Sequence, residues 1–424
     1  MSTLPVGDPR PRREPPGGAT PLVVLVAPSD SYRLGAFRRA AGALGASVVV
    51  VTDRPHPLDG AARHGAFTAP GTSPTGAADG DVLAGLRPDA VIATDAEATV
   101  FAAAAGSAAG LRSNPPDAAV AAGDKGLQRL AARRAGVRQP DFVLVEGDDD
   151  LAPAALAVGL PAVVKPLRLT AGRGVIRVED PLDARAVAPL VRELGGHDTV
   201  LVERFVPGGE VALEGLLDDG RLYALAVYDK PDAPQGPTFP ETTLITPSLL
   251  PAATQRRLVA DTAAICAEIG LRHGPVHAEF RIDDHGRSWF LELAARTIGG
   301  RCASMLRFRG PDGDADRTLE ELVLRQALGL EFDHEPADAA AGVWMIPIVR
   351  SGRLVAIEGA DEVAALPAVS EVALDVVPGE RLEALPRGGR YPGFVFARGD
   401  DPAEVHTALA KAAATLRLVI EPER

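Results

Sequence analysis

The spacing of apolar and polar positions changes character along this chain. Near the start, the β-rich runs "PLVVLVAP", "SVVVVTD" and "PDAVIATD" are separated by stretches with helical spacing. "SYRLGAFRRAAGALGA" precedes the second run, and an alanine-rich helix follows the third. Strands alternating with helices predict an open parallel α/β domain over about residues 21–115. Each strand ends in small or polar residues: Pro28-Ser29-Asp30, Thr52-Asp53 and Thr94-Asp95-Ala96-Glu97. Ligands of open parallel sheets bind at such carboxyl ends. No G-x-G-x-x-G follows the first strand, which argues against a dinucleotide fold.

A helix pair in "PPDAAVAAGDKGLQRLAARRAGV" opens the next part. The runs "QPDFVLVEG", "PAVVKP", "VIRVED" and "TVLVERFVPGGEVALEGLLDDGRLYALAVYDK" then follow with hairpin-sized gaps, so they predict antiparallel sheets rather than βαβ units. An amphipathic helix, "PAATQRRLVADTAAICAEIGL", leads into the hairpin "VHAEFRIDDHGRSWFLELAARTIGG". A final region begins at about residue 331. There "GVWMIPIVRSGRLVAI" predicts a hairpin turning at Ser351-Gly352, and a last helix, "DPAEVHTALAKAAATL", precedes "RLVI". No repeat of solenoid period is present.

Composition narrows the function classes. The chain has 424 residues, 46% hydrophobic and 24% charged, which suits about two to four globular domains. Its net charge is −13 and it has no long basic stripe, so duplex nucleic acid is not an expected partner. The longest apolar run, "ATVFAAAAGSAAGL", falls short of the ~18 residues a membrane span needs and reads as a buried helix. The proline- and arginine-rich residues 1–20 have no apolar centre and read as a disordered tail rather than a signal peptide. Two cysteines, Cys266 and Cys302, form neither a disulfide framework nor a metal cluster, and the expected location is the cytoplasm.

The hairpin carries the first chemical signal. With His285-Gly286 as a two-residue turn, Asp284 faces Arg287, Ile282 faces Trp289, Phe280 faces Leu291 and Glu279 faces Glu292. Like charges ~5 Å apart on one sheet face repel. Either one carboxyl is protonated or a cation sits between them, and a hard divalent ion shared with phosphates is one such cation. A register slip by one residue would instead separate the two acids. Arg296 and the bare backbone of Gly299-Gly300 follow, a combination suited to an anionic reacting group.

Further elements carry weaker signals. Lys165 leaves an apolar strand and either snorkels or meets an anion. In the turn Thr170 to Val175, Gly172 and Gly174 free the backbone to approach a phosphate and Arg173 adds charge, although such a turn also serves as a plain hairpin loop. "VLVERFVPGGE" places Glu203, Phe205, Val206 and Glu210 around a strand end and turn. Lys125 in "GDKGLQRL", Lys165 in "VVKP", "AGRGV", "VERFVPGGE" and "HAEF…FLELAAR" stand in the order seen in the ATP-grasp superfamily. The resemblance covers about residues 21–330 and rests on the ordered set. "GFVFARGDDPAEVHTALAKAAATLRLVI" also resembles the closing domain of ligases of the L-amino-acid ligase type.

The resemblance implies an α/β and α+β chain with four parts: the tail at 1–20, an N-terminal open parallel α/β domain at 21–115, an ATP-grasp fold of two α+β subdomains at 116–330 (lid about 139–206), and a C-terminal α+β domain at 331–424. By resemblance Lys125 and Lys165 contact nucleotide phosphates, and Thr170, Gly172, Arg173 and Gly174 belong to a loop closing over them. Glu203, Phe205 and Val206 form the adenine hinge, and Glu210 holds the ribose. Glu279 and Glu292 bind Mg²⁺, with Mn²⁺ as an alternative, and Arg296 faces the γ-phosphate and the acyl substrate. Arg296, Lys165 and Glu292 are the expected catalytic residues.

Where many members have Asn two residues after the second acid, this chain has Ala294, which removes an oxygen donor. The implied reaction is ATP-dependent ligation of a carboxylate to an amine through an acyl phosphate, releasing ADP and phosphate, with small-molecule substrates and room for a homodimer. Glu97, Lys230, Glu241, His277, Gly299 and Gly300 are candidate substrate contacts, each with a plain structural alternative. A biotin-carboxylase-like carboxylation is the runner-up, and a nucleotide-binding regulator with impaired catalysis, suggested by Ala294, is the reading from another class.

Overall fold

The computed structural model describes residues 20–53, 63–64, 83, 85–196, 199–310, 315–337 and 339–422. The tail expected over residues 1–20 falls outside these, Thr20 excepted. Four strands, β1 (Leu22–Ala27), β2 (Ser47–Thr52), β3 (Arg63–His64) and β4 (Ala90–Ala93), form a parallel sheet in the order β3-β2-β1-β4. The central strand β1 is apolar at every position because both of its faces are covered. Val23 and Leu25 pack with Phe37 and Ala40 of helix α1 (Leu34–Ala43), whereas Val24 and Val26 pack with Phe101 and Ala102 of helix α2 (Thr99–Ala108). The two-residue side-chain period of a strand thus sends alternate valines and leucines into two separate cores.

Helices α3 (Pro116–Ala122) and α4 (Lys125–Arg134) follow. A second, antiparallel sheet holds β5 (Phe142–Val145), β6 (Ala162–Pro166), β7 (Ile176–Val178) and β8 (Val200–Arg204) in the order β5-β8-β6-β7. Helices α5 (Leu151–Val158) and α6 (Pro181–Gly195) cover one face of it, closing a core that includes Val164, Val202, Leu151 and Val191.

The largest sheet joins β9 (Gly209–Asp218), β10 (Arg221–Lys230), β11 (Thr243–Thr246), β12 (Gly274–Ile282), β13 (Ser288–Ala294), β16 (Ala340–Met345), β18 (Val369–Leu374) and β20 (Gly393–Gly399). Their order is β13-β12-β9-β10-β11-β16-β20-β18. Between its two halves in sequence lie the ribbon β14 (Phe308–Arg309) with β15 (Ala315–Arg317), and helix α8 (Leu319–Ala327); helix α7 (Ala252–Ile269) precedes β12. Strands β17 (Gly352–Glu358), β19 (Arg381–Leu382) and β21 (Arg417–Glu421) form a small separate sheet. Helices α9 (Ala360–Ala364) and α10 (Pro402–Thr415) complete the fold.

The hairpin expected at Ser351-Gly352 is therefore corrected. Strand β16 already pairs with β11 on one edge and β20 on the other, so it has no edge for β17, which pairs with β19 and β21 instead.

The β12–β13 hairpin pairs Glu279 with Glu292, but not by the expected two-residue turn. Phe280 faces Phe290 rather than Leu291, Arg281 faces Trp289 and Ile282 faces Ser288. The turn is longer because the Asp283 carboxylate accepts hydrogen bonds from the backbone N–H of His285 (3.0 Å) and Arg287 (2.9 Å) and from the Trp289 indole (2.9 Å). A bulge at Leu291 then restores the register, so the two acids still lie opposite one another. Among the described residues no helix is long and apolar enough to cross a membrane.

Candidate functional site

A cavity of about 1230 Å³ lies where all three regions meet. The ends of β1, β2 and β4, the glycine-containing loop after β6, the β8–β9 connection, the end of β10, the β12–β13 hairpin and the segment before β20 supply its walls. Of the residues singled out from the sequence, the structure brings all to this wall except Arg173 and Gly174. Those two face the segment before β20: the Gly174 N–H donates to Pro386 O (2.9 Å) and Arg173 Nε to Arg387 O (3.2 Å).

Helix α4 organises one part of the cavity wall. Asp124 caps it, accepting from the N–H groups of Gly126 (3.0 Å) and Leu127 (3.1 Å). Lys125, Gln128 and Arg129 then share one helix face, at i, i+3 and i+4, and grip the open edge of β13. Gln128 both accepts from Leu293 N (2.9 Å) and donates to Leu293 O (2.7 Å), and Arg129 donates to Leu291 O (2.7 Å), the bulge residue. Lys125 Nζ lies 3.1 Å from Glu292 and donates to Leu169 O (2.6 Å).

Lys165, buried on β6, donates to Glu203 Oε1 at 2.5 Å, while the fully buried Arg129 holds Oε2 through Nε (2.9 Å) and Nη2 (2.8 Å). Burial raises the Glu203 carboxyl, but Arg129 and Lys165 outweigh it and keep the group below its ordinary range. Burial pushes Lys165 down, with Arg129 adding and Glu203 opposing. Nearby, the Phe205 ring lies between two guanidiniums, Arg177 at 4.3 Å and Arg281 at 5.0 Å. In the expected hinge, Phe205 N–H donates to Pro161 O (2.9 Å) and Val206 O accepts from Arg281 (3.0 Å).

Next to it, across the β12–β13 pair, lies a charge cluster. Lys230 Nζ, nearly buried, contacts Glu210 (2.7 Å), Glu241 (2.8 Å) and Glu279 (3.2 Å). Burial alone would lower its pKa, yet the three carboxylates push it well above the lysine range. Burial raises Glu241 to about 7 against the pull of Lys230. Glu279 is held well below the carboxylate range by Lys230 and His277, which outweigh its burial.

His277 bridges two acids, with Nδ1 at 3.0 Å from the wholly buried Glu214 and Nε2 at 3.4 Å from Glu279, and these bonds overcome burial to raise it to about 9. Glu214 also accepts from Ile298 N–H (3.1 Å), tying β9 to the loop that carries Arg296. Arg296 is half-buried and donates to Thr297 O (2.8 Å). Beyond it Gly300 adopts φ +60, where an added Cβ would meet the Phe394 ring at 2.7 Å.

On the N-terminal side Arg33 Nη2 donates to Ile298 O (2.8 Å) and Nη1 to Thr94 O (3.0 Å), which fixes this loop to the end of β4, where Glu97 lines the cavity. Glu214, Arg129, Gln128 and Arg33 escaped sequence reasoning. Glu214 carried one available signal, a charge in an otherwise apolar strand, as Lys165 did. The carboxylate oxygens of Glu210, Glu241 and Glu279 lie within 4.8 Å of one another, and Glu292 stands opposite Glu279. Oxygen donors of this kind suit a hard divalent cation, and the opposed Glu279 and Glu292 are the pair open to one, because Lys230 Nζ already sits among Glu210, Glu241 and Glu279.

Residues 158–305 match the ATP-grasp domain family, and residues 344–421 match the L-amino acid ligase C-terminal domain 2 family. Alanine–anticapsin ligase of Bacillus subtilis is 28% identical over 212 residues, 45% of this chain and 44% of that protein. Carnosine synthase 1 of Gallus gallus is 32% identical over 250 residues, 54% of this chain and 26% of that protein. The chain thus spans less than half the length of these curated relatives. The crystal structure of an L-amino acid ligase from Bacillus licheniformis superimposes with a TM-score of 0.74 at 23% identity, covering 95% of this chain and 99% of that one, which shows a shared fold.

Proposed function

Because the chain is an ATP-grasp protein that carries an L-amino acid ligase C-terminal domain, we propose that it joins the carboxylate of an amino acid or small acid to an amine at the expense of ATP. The observation that carries this reading is the meeting of Lys125, Lys165 and Arg296 with the opposed Glu279 and Glu292 on one cavity wall. A carboxylate oxygen attacks an anionic phosphate poorly, so neutralising and orienting the phosphates is the main catalytic task. In this reading Lys125 and Lys165 turn from Glu292 and Glu203 to the phosphates, and the Thr170–Val175 loop covers them. The Phe205–Val206 strand end receives the adenine, and Glu210 the ribose.

Glu279 and Glu292 would hold Mg²⁺ or Mn²⁺, which when bound neutralises phosphate charge. Arg296 orients the acyl substrate, whose carboxylate takes the γ-phosphoryl group to become an acyl phosphate. The amine then displaces phosphate, and exclusion of water by the closed loop protects the acyl phosphate. Glu241, which lines the same cavity as Arg296, suits the ammonium group of an amino-acid substrate. Glu97 and the ends of the N-terminal strands suit the second substrate. We read residues 21–115, 116–330 and 331–424 as the three domains that contribute these parts. The match at 344–421 to a ligase domain favours ligation over carboxylation.

The test is ADP release with Mg²⁺, ATP and pools of amino acids. A pool should stimulate ADP formation by the intact chain, and Glu292→Ala should lower it by about 10²-fold or more. ATP binding with no stimulation by any pool would favour a regulator, and absence of ATP binding would overturn the reading.

A further inference from the structure

We propose that Arg129 is a positioning residue of the nucleotide site: by holding one oxygen of Glu203, it leaves Lys165 able to move from the other oxygen to a phosphate. The inference rests on the reading of this cavity as an ATP site. Three observations carry it. First, the two cations divide the carboxylate between them, Arg129 on Oε2 and Lys165 on Oε1.

Second, their freedom to move differs. Arg129 is 0% exposed, is tied to Leu291 O on the edge strand, and lies over the Phe290 ring at 5.4 Å, so it cannot follow a ligand. Lys165 lines the cavity and holds Glu203 by a single terminal nitrogen. Third, Glu203 is only 3% exposed. A buried carboxylate that loses its sole cation is left uncompensated at a cost of several kcal/mol. Without Arg129 that penalty would fall on every movement of Lys165, and the lysine would be retained as the private partner of Glu203. With Arg129 in place Glu203 stays neutralised whichever way Lys165 points.

The same guanidinium joins the lid to the hairpin. Glu203 belongs to β8 of the lid sheet and Leu291 to β13 beside Glu292. Arg129 therefore sets Lys165 relative to the acids across the cavity, without itself lining it.

The experiment measures affinity of the full chain for a non-hydrolysable ATP analogue with Mg²⁺ by calorimetry. Wild-type binding tests the underlying reading, because its absence would sink the ATP site itself rather than the role of Arg129. Arg129→Gln keeps donors in place but removes the charge, and affinity should fall by about tenfold or more. Arg129→Lys restores a cation and should return affinity to within about threefold of wild type. In a Glu203→Gln background no anion is left to orphan, so adding Arg129→Gln there should lower affinity by less than about threefold relative to Glu203→Gln alone. A purely structural Arg129 would give losses that add in the double variant and no rescue by lysine, and that result overturns the proposal. If Arg129→Gln fails to fold, the charge-balanced double variant compared with Glu203→Gln carries the test alone, a tenfold loss of affinity between those two counting against the proposal.

Discussion

Lys230 stands among Glu210, Glu241 and Glu279 at the end of β10, with a side chain only 4% exposed. One buried ammonium offsets three partly buried carboxylates, and their attraction is strengthened because water screens it only in part. In the sequence this lysine opens a Pro/Gly-rich loop, and a solvated loop was an equal reading. Its burial depends on β9 and β12, whose partners are separated from it by 20 and 49 positions, a distance over which local pattern carries no information. Replacing it by methionine leaves the three acids without their central cation. Lys230→Met should destabilise the metal-free protein by about 3–5 kcal/mol. Millimolar Mg²⁺ or Ca²⁺ should recover part of that loss by occupying the oxygen cluster. Thermal unfolding with and without the cation checks this; a variant as stable as wild type in EDTA would refute the counter-ion role.

At the scale of elements, the hairpin shows what was legible and what was not. Apolar alternation with two acids correctly set Glu279 against Glu292. The turn length and the bulge at Leu291 were missed because they depend on the Asp283 side chain and on Arg129. The loop after β6 is the second such case. Its glycines were read as freedom to approach a phosphate, and the structure adds a closer constraint. Gly172 has φ +71, and a Cβ there would lie 2.5 Å from Phe239 O, on the loop opposite. Gly172→Ala should shift this loop away from the cavity, weakening ATP about tenfold while the far-UV circular dichroism stays as in wild type. ATP titration of the variant decides it, and unchanged affinity would mean that the loop does not cover the nucleotide.

The molecule as a whole is held around its cavity by a segment no local pattern announced. The parallel sheet, the antiparallel sheets and the order of the motifs could be read from periodicity and resemblance, but the contacts that bring the regions together could not. They join residues 150 to 214 positions apart. Arg387, in the segment before β20, makes a bidentate pair with Glu193 on helix α6, which covers the β5–β8 sheet, at 2.8 and 3.2 Å. The adjoining Pro386 and Arg387 carbonyls hold Gly174 and Arg173 of the glycine loop, and the Arg173 side chain packs where a Cβ on Gly389 would sit. Four residues after Arg387, the Tyr391 hydroxyl accepts a hydrogen bond from Glu241 N–H (2.8 Å). One segment therefore touches both the loop expected to cover the phosphates and the expected substrate loop. Both members of the Glu193–Arg387 pair are about half exposed, so water screens the pair and it adds little to stability. Its consequence is local order. Glu193→Ala should leave the unfolding temperature within about 2 °C of wild type. Trypsin should cut after Arg173 severalfold faster, because a loosened loop opens at lower free energy. Saturating ATP should suppress cleavage less in the variant than in wild type. Equal cleavage rates in the two proteins would show that the loop is held by its backbone contacts alone, and that the ion pair across the lid has no part in closing it.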